Sequence, residues 1–227
     1  MIFLHFLVEG RSEEAFVKKI LCPYLVDYDV ITYVQCVQTK NDQKLGKKHK
    51  GGITSYERFR TEITNLAKQF SSKNRYFTTF FDLYALPNTF PGRQESKDWQ
   101  NPYKKVKLIE KIIATDLSDP RIIPYIQLHE FETLILCDAQ ILDWAYLEHE
   151  TEIQELKKSI SGMNPEEINE GSATAPSKRI IQHISQYRKG LAMDFIVPKI
   201  DLNLVRTLCS HFNEWLTTLE GLKETAS

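Results

Sequence analysis

Cysteine is scarce and scattered. Cys22, Cys36, Cys137 and Cys209 are the only four, and no two form a CxxC pair. That spacing argues against a zinc site and a disulfide framework, and it points to a reducing cytoplasm. Glycine-rich phosphate loops are absent too: there is no GxGxxG, and Gly46-Lys47 lacks the preceding glycine frame of a P-loop. No GxSxG elbow suggests a serine hydrolase, and His129-Glu130 is not a zincin motif because Thr133 stands four residues after His129. No apolar run is long enough to span a bilayer. The opening stretch Met1 to Val8 is interrupted by His5, stops at Glu9, and has no basic leader or small-residue cleavage site, so neither a membrane segment nor a signal peptide is expected. An excess of one charge is also missing. Lys plus Arg number 29 against 30 Asp plus Glu, a net charge of -1, which excludes a global polycation but not a local basic patch.

What is present is ordinary for a globular chain: 227 residues, 42% hydrophobic and 26% charged. That length suits one large domain or a domain with an appendage. Residues 2–8 read as a strand buried on both faces, followed at once by Glu9-Gly10. Ser12 can cap a helix with Phe16, Ile20 and Tyr24 on its apolar stripe, which Pro23 is expected to kink or end. Val30 to Val37 reads as a second strand, and residues 40–52 as a Gly-punctuated basic loop. Thr54 and Glu57 fit a capping box for a helix through Phe70. Arg75 to Phe81 is a third strand ending in Asp82, and residues 87–102 are a long loop. Tyr103 to Thr115 is a helix, Arg121 to Leu128 a fourth strand, and Leu134 to Leu142 another helix. Strands alternating with helices imply an α/β fold with a mostly parallel, doubly wound sheet. The chain divides into an α/β domain over 1–150 and a helical C-terminal extension over 151–227, with helices at 151–160, 177–187 and 202–220, the last broken near Ser210.

The acids carry the chemistry. Glu9 follows the first strand, Asp82 the third, and Glu130 with Glu132 the fourth. A parallel sheet brings its strand ends to one edge, where ligands bind, and Glu13 sits one helical turn beyond Glu9. At ~5 Å and an effective dielectric near 20, each like-charged pair there costs about 3 kcal/mol unless a cation joins it. Oxygen-only ligands suit Mg²⁺ or Mn²⁺. Lys47, Lys48 and Lys50 in the basic loop, with Arg93, would flank this rim with positive charge and suit a phosphate-bearing polyanion. Lys178 and Arg179 start a helix after Ala175-Pro176, a reasonable phosphate contact. Phe212, Trp215, Leu216 and Leu219 share a helix face and read as core.

VEGRSEEAF after an opening strand resembles the first motif of TOPRIM (topoisomerase–primase) domains, and its second glutamate is similar to that of the OLD-family nucleases. FFDLYALP, PYIQLHEFETLI, TAPSKRI and CSHFNEWLTTLE together resemble the bacterial family catalogued as domain of unknown function 4276, over most of the chain. The resemblance implies a TOPRIM-like fold and metal site. Glu9 would match the catalytic glutamate, Glu13 the second metal-binding acid, and Asp82 the first aspartate of a DxD pair. The second DxD position is Tyr84, so either Glu130 or Glu132 would take over its metal-binding role or the site would bind one ion weakly. The resemblance also implies an ABC-type ATPase partner and a role in antiphage defence. The expected activity is therefore Mg²⁺- or Mn²⁺-dependent phosphodiester hydrolysis of DNA or RNA, with an ATPase partner and possible oligomerisation. The alternative is a non-catalytic module that senses nucleic acid or regulates an ATPase through a degenerate site.

Overall fold

The computed structural model describes residues 1–42, 47–50, 52–168, 171 and 174–225, and for 38–42, 47–50 and 225 the backbone alone. The first strand β1 (Ile2–Val8) is buried almost throughout, as a run that is apolar but for His5 requires. It leads into α1 (Arg11–Phe16), a π-helical stretch (Val17–Leu21) and α2 (Cys22–Val26). Pro23 does not end this helix. The wider turn just before it lets Cys22 N donate to Val17 O, five residues back, so the ladder passes the position where proline has no N–H to give.

Strand β2 (Val30–Cys36) follows, and the basic segment then departs from the expected plain loop: β3 (Gln38–Asp42) and β4 (Lys47–Lys50) pair as an antiparallel ribbon. Helix α3 (Tyr56–Gln69) is capped by Ser55, whose Oγ accepts from Arg58 N at 3.3 Å, one residue later than the Thr54 start expected. Next come β5 (Arg75–Asp82) and α4 (Pro102–Leu117). The fourth strand is split into β6 (Ile122–Ile123) and β7 (Ile126–Gln127) by Pro124. Thr79 bridges the break, its Oγ1 accepting from Tyr125 N at 2.8 Å and donating to Tyr125 O at 2.7 Å. After α5 (Glu132–Leu136) and a 3-10 stretch (Ala139–Trp144), the chain is helical: α6 (Glu150–Ile160), α7 (Pro176–His183), α8 (Met193–Ile196), α9 (Leu202–Leu208), α10 (Ser210–Glu220) and α11 (Leu222–Thr225).

The sheet runs β2-β1-β5-β6, with β7 also on β5, and every pairing in it is parallel. One face packs Phe59 and Ile63 of α3 and Val106, Ile109 and Ile113 of α4. The other packs Phe16 and Leu25 together with residues of the C-terminal helices. Trp215 of α10 stacks on Tyr125 at 4.1 Å between ring centroids, meets Phe6 and Phe80 edge-on, and donates from Nε1 to Thr78 Oγ1 at 2.9 Å. The segment after residue 150 thus supplies part of a layer of the sandwich. Phe212, Trp215, Leu216 and Leu219 are all buried core. Among the described residues no helix is long and apolar enough to cross a membrane.

The start of α10 depends on one buried acid. Glu166 is fully buried and accepts from His211 N and Phe212 N, each at 3.1 Å, covering amides that a helix start leaves without partners. Glu166→Ala is therefore expected to lower the unfolding free energy by about 2–3 kcal/mol, measured by urea denaturation, because both buried amides lose their acceptor. A loss under about 0.5 kcal/mol would show that another group covers them.

Candidate functional site

The chain folds so that its acids meet. β2 lies on one side of β1 and β5 on the other, so the carboxyl ends of β1 and β5 flank the point where strand order switches direction. Glu9 follows β1 and Asp82 ends β5, and Asp82 N donates to Glu9 Oε2 at 3.2 Å. Gly10 turns the chain into α1. A Cβ there would lie 3.3 Å from Glu13 Oε2, which instead accepts from Gly10 N at 2.9 Å. Glu13 thus does what acids at helix starts ordinarily do, while facing the strand ends. After β7 the chain reverses at His129, in the left-handed region at φ 62°, and delivers Glu130 and Glu132 to the same edge.

All five acids line one cavity of about 580 Å³, with Arg11, Ser12, Gly52, Tyr84, Ser177, Lys178 and Lys189 among the other walls. Glu13, Asp82, Glu130 and Glu132 are buried, at 6%, 5%, 2% and 1% exposure. Tyr84, at the second DxD position, is 42% exposed at this cavity.

Lys189 is the group that sequence reasoning missed. It lies between α7 and α8, and its Nζ is 2.7 Å from Glu130 Oε1, 3.3 Å from Glu132 Oε2 and 3.6 Å from Asp82 Oδ2. Tyr187, fully buried, donates its hydroxyl to Glu132 Oε1 at 2.8 Å. Ser177 N donates to Glu130 Oε2 at 2.8 Å, so the start of α7 is met by a carboxylate of the chain itself. The only signal for Lys189 was an Arg-Lys-Gly step in the C-terminal segment, one of many basic positions.

The other expected contacts divide. Lys178 reaches the cavity wall, whereas Arg179 donates from Nε to Thr174 O and Arg93 is not part of the lining. For Lys47, Lys48 and Lys50 the structure describes β4 backbone only. The basic segment does return to the site: Gly52 lines the cavity, and its N–H donates to Glu9 O at 3.2 Å.

Electrostatically Glu130 stands apart from the other four acids. Burial pushes Glu9 up, and burial with the neighbouring Glu9 charge pushes Glu13 up to about 8. Burial, with Glu13 and Glu9 beside it, holds Asp82 well above the usual carboxylate range. Burial also raises Glu132 despite Lys189. Glu130 goes the other way: burial opposes its charge, but Lys189 and the Ser177 hydrogen bonds outweigh burial and lower it. Lys189 is desolvated, yet Glu132, Asp82 and Glu130 keep its ammonium firmly protonated.

Among the described residues no group of three or more His, Cys, Asp or Glu side chains is arranged to hold a metal ion as it stands. The donor chemistry nevertheless fits a hard divalent cation. The acids offer oxygen only, and Asp82 Oδ1 is buried with no hydrogen-bond partner among the described residues. The chain matches the family described as Domain of unknown function (DUF4276) over residues 8–220. It belongs to that family. No curated protein and no solved structure matches it.

The raised Glu13 fixes a pH dependence. The unfolded carboxyl releases its proton near 4.5 and the folded one near 8, so between those values the folded state binds more protons. Its contribution is present below about pH 4.5 and lost as pH rises through about 8. In EDTA the wild type should lose stability across that window, and Glu13→Gln, which keeps an oxygen for Gly10 N, should flatten the loss. Urea unfolding at the two ends of the window measures it; identical slopes for the two proteins would contradict the assignment.

Proposed function

We propose that the acidic cavity is a TOPRIM-like divalent-cation site for phosphodiester hydrolysis of nucleic acid. The observation that supports it best is the buried, unpartnered Asp82 Oδ1 standing among carboxylates held above their ordinary range. Glu9, Glu13 and Asp82 would hold the ion, with Glu130 and Glu132 behind them. When bound, Mg²⁺ or Mn²⁺ supplies positive charge to phosphate oxygens and makes water a stronger acid. Glu9 takes the proton as water adds to phosphorus, or returns one to the oxygen that leaves when the P–O bond breaks. Arg11 and Lys178 at the cavity wall, with the basic segment before Gly52, position the polyanion. A cytoplasmic setting and an ABC-type ATPase partner in antiphage defence belong to the same reading.

A second reading is a non-catalytic module that senses nucleic acid or regulates an ATPase. It draws on Tyr84, where the DxD pattern has an acid, and on Lys189, which already places a cation against Asp82, Glu130 and Glu132.

Incubation of the protein with plasmid, single-stranded DNA and RNA in Mg²⁺, Mn²⁺ or EDTA separates the two. The hydrolase reading expects metal-dependent cleavage that falls by about 100-fold or more in Glu9→Gln, the size of effect that a lost acid–base group carries, and that also falls in Asp82→Asn, which loses an ion-holding oxygen. Binding without cleavage of any substrate, with or without a candidate ATPase and ATP, would favour the module.

A further inference from the structure

The carboxylates of the rim are not equivalent in how their oxygens are used. Glu130 has both engaged, Oε1 by Lys189 and Oε2 by Ser177 N. Glu132 has Oε1 engaged by the Tyr187 hydroxyl, while its Oε2 lies 3.3 Å from Lys189 Nζ without a hydrogen-bond partner among the described residues. On the other side, Glu9 and Glu13 each accept one main-chain N–H, and Asp82 Oδ1 has no hydrogen-bond partner among the described residues. The chain's own ammonium therefore lies nearest Glu130 and Glu132, at 2.7 and 3.3 Å, and farther from Asp82, at 3.6 Å.

Lys189 is also anchored. Tyr187, two residues before it, is fully buried, and Met193, four residues after it, is 3% exposed. Between them Gly190 takes φ 74° and Ala192 φ 59°, a tight double reversal that directs the chain back to the protein. The Lys189 side chain is 45% exposed, yet it leaves a loop bounded by the buried Tyr187 and Met193 and ends against three acids.

From this geometry we infer that the site takes one divalent cation rather than two, on Glu9, Glu13 and Asp82, and that Lys189 is its built-in second positive charge, holding Glu130 and Glu132. The inference rests on the cation-site reading above and assigns its stoichiometry. An ammonium at 2.7 Å from Glu130 stands where a second ion would need carboxylate oxygens, so the two exclude each other.

Calorimetric titration with Mn²⁺, with the count of bound ions checked by electron paramagnetic resonance, tests it without reference to cleavage. The wild type should bind one ion per chain. Lys189→Met should bind two, because Glu130 and Glu132 lose their partner and recruit an ion, whereas Lys189→Arg should stay at one. Glu130→Gln/Glu132→Gln, which leaves acceptors for Ser177 and Tyr187, should also keep one ion, and Glu13→Gln should weaken it at least tenfold. Two ions on the wild type, or one on Lys189→Met, would overturn the inference and leave the cation-site reading standing. No ion on the wild type would overturn that reading itself. Should Lys189→Met fail to fold, the double glutamine variant decides: one ion supports the inference, and none would make Glu130 and Glu132 ligands and overturn it.

Discussion

Burial of like charge at the carboxyl edge of the parallel sheet is the constraint around which this structure is arranged. Glu9, Glu13, Asp82, Glu130 and Glu132 share one cavity, and at an effective dielectric near 20 each close pair of such charges costs roughly 3 kcal/mol. The chain meets that cost with main-chain N–H groups at Gly10, Asp82 and Ser177, and with one ammonium, Lys189. The compensation is uneven. Glu130 ends below its ordinary range, while Glu13 and Asp82 remain well above theirs. A site left in that state holds either protons or a cation, and which one depends on pH and on metal.

The sheet topology and the C-terminal helices are joined through the same region. The core of one face runs from Phe6 and Phe80 through Tyr125 to Trp215, so α10 packs on the strands that present the acids. Lys189 and Tyr187 come from the segment between α7 and α8, and Glu130 meets the start of α7. Residues after 150 therefore complete the electrostatics of a site whose acids all precede 133. Cutting the chain between those parts would expose core and strand the acids together.

Much of this was legible in the sequence, for identifiable reasons. β1 is apolar but for His5, β5 is rich in aromatic and β-branched residues, and each leads into an acid, so the convergence of Glu9 and Asp82 follows from burial on both faces and parallel order. Local details were harder. A wide turn before Pro23 carries the helix onward, Pro124 splits the fourth strand, Ser55 rather than Thr54 caps α3, and a ribbon forms in what reads as a basic loop. Each depends on which backbone groups find partners, which composition does not encode. Lys189 was illegible because its partners come from distant stretches of chain, and nothing in the Arg-Lys-Gly step distinguishes it from a solvated lysine.

Anomalous diffraction from crystals soaked in Mn²⁺ tests the central claim most directly, since it locates the cation by its own scattering. The account places a single peak within reach of Glu9, Glu13 and Asp82, with Lys189 still on Glu130. A peak between Glu130 and Glu132 with Lys189 displaced, or no peak in the cavity at saturating Mn²⁺, would contradict it.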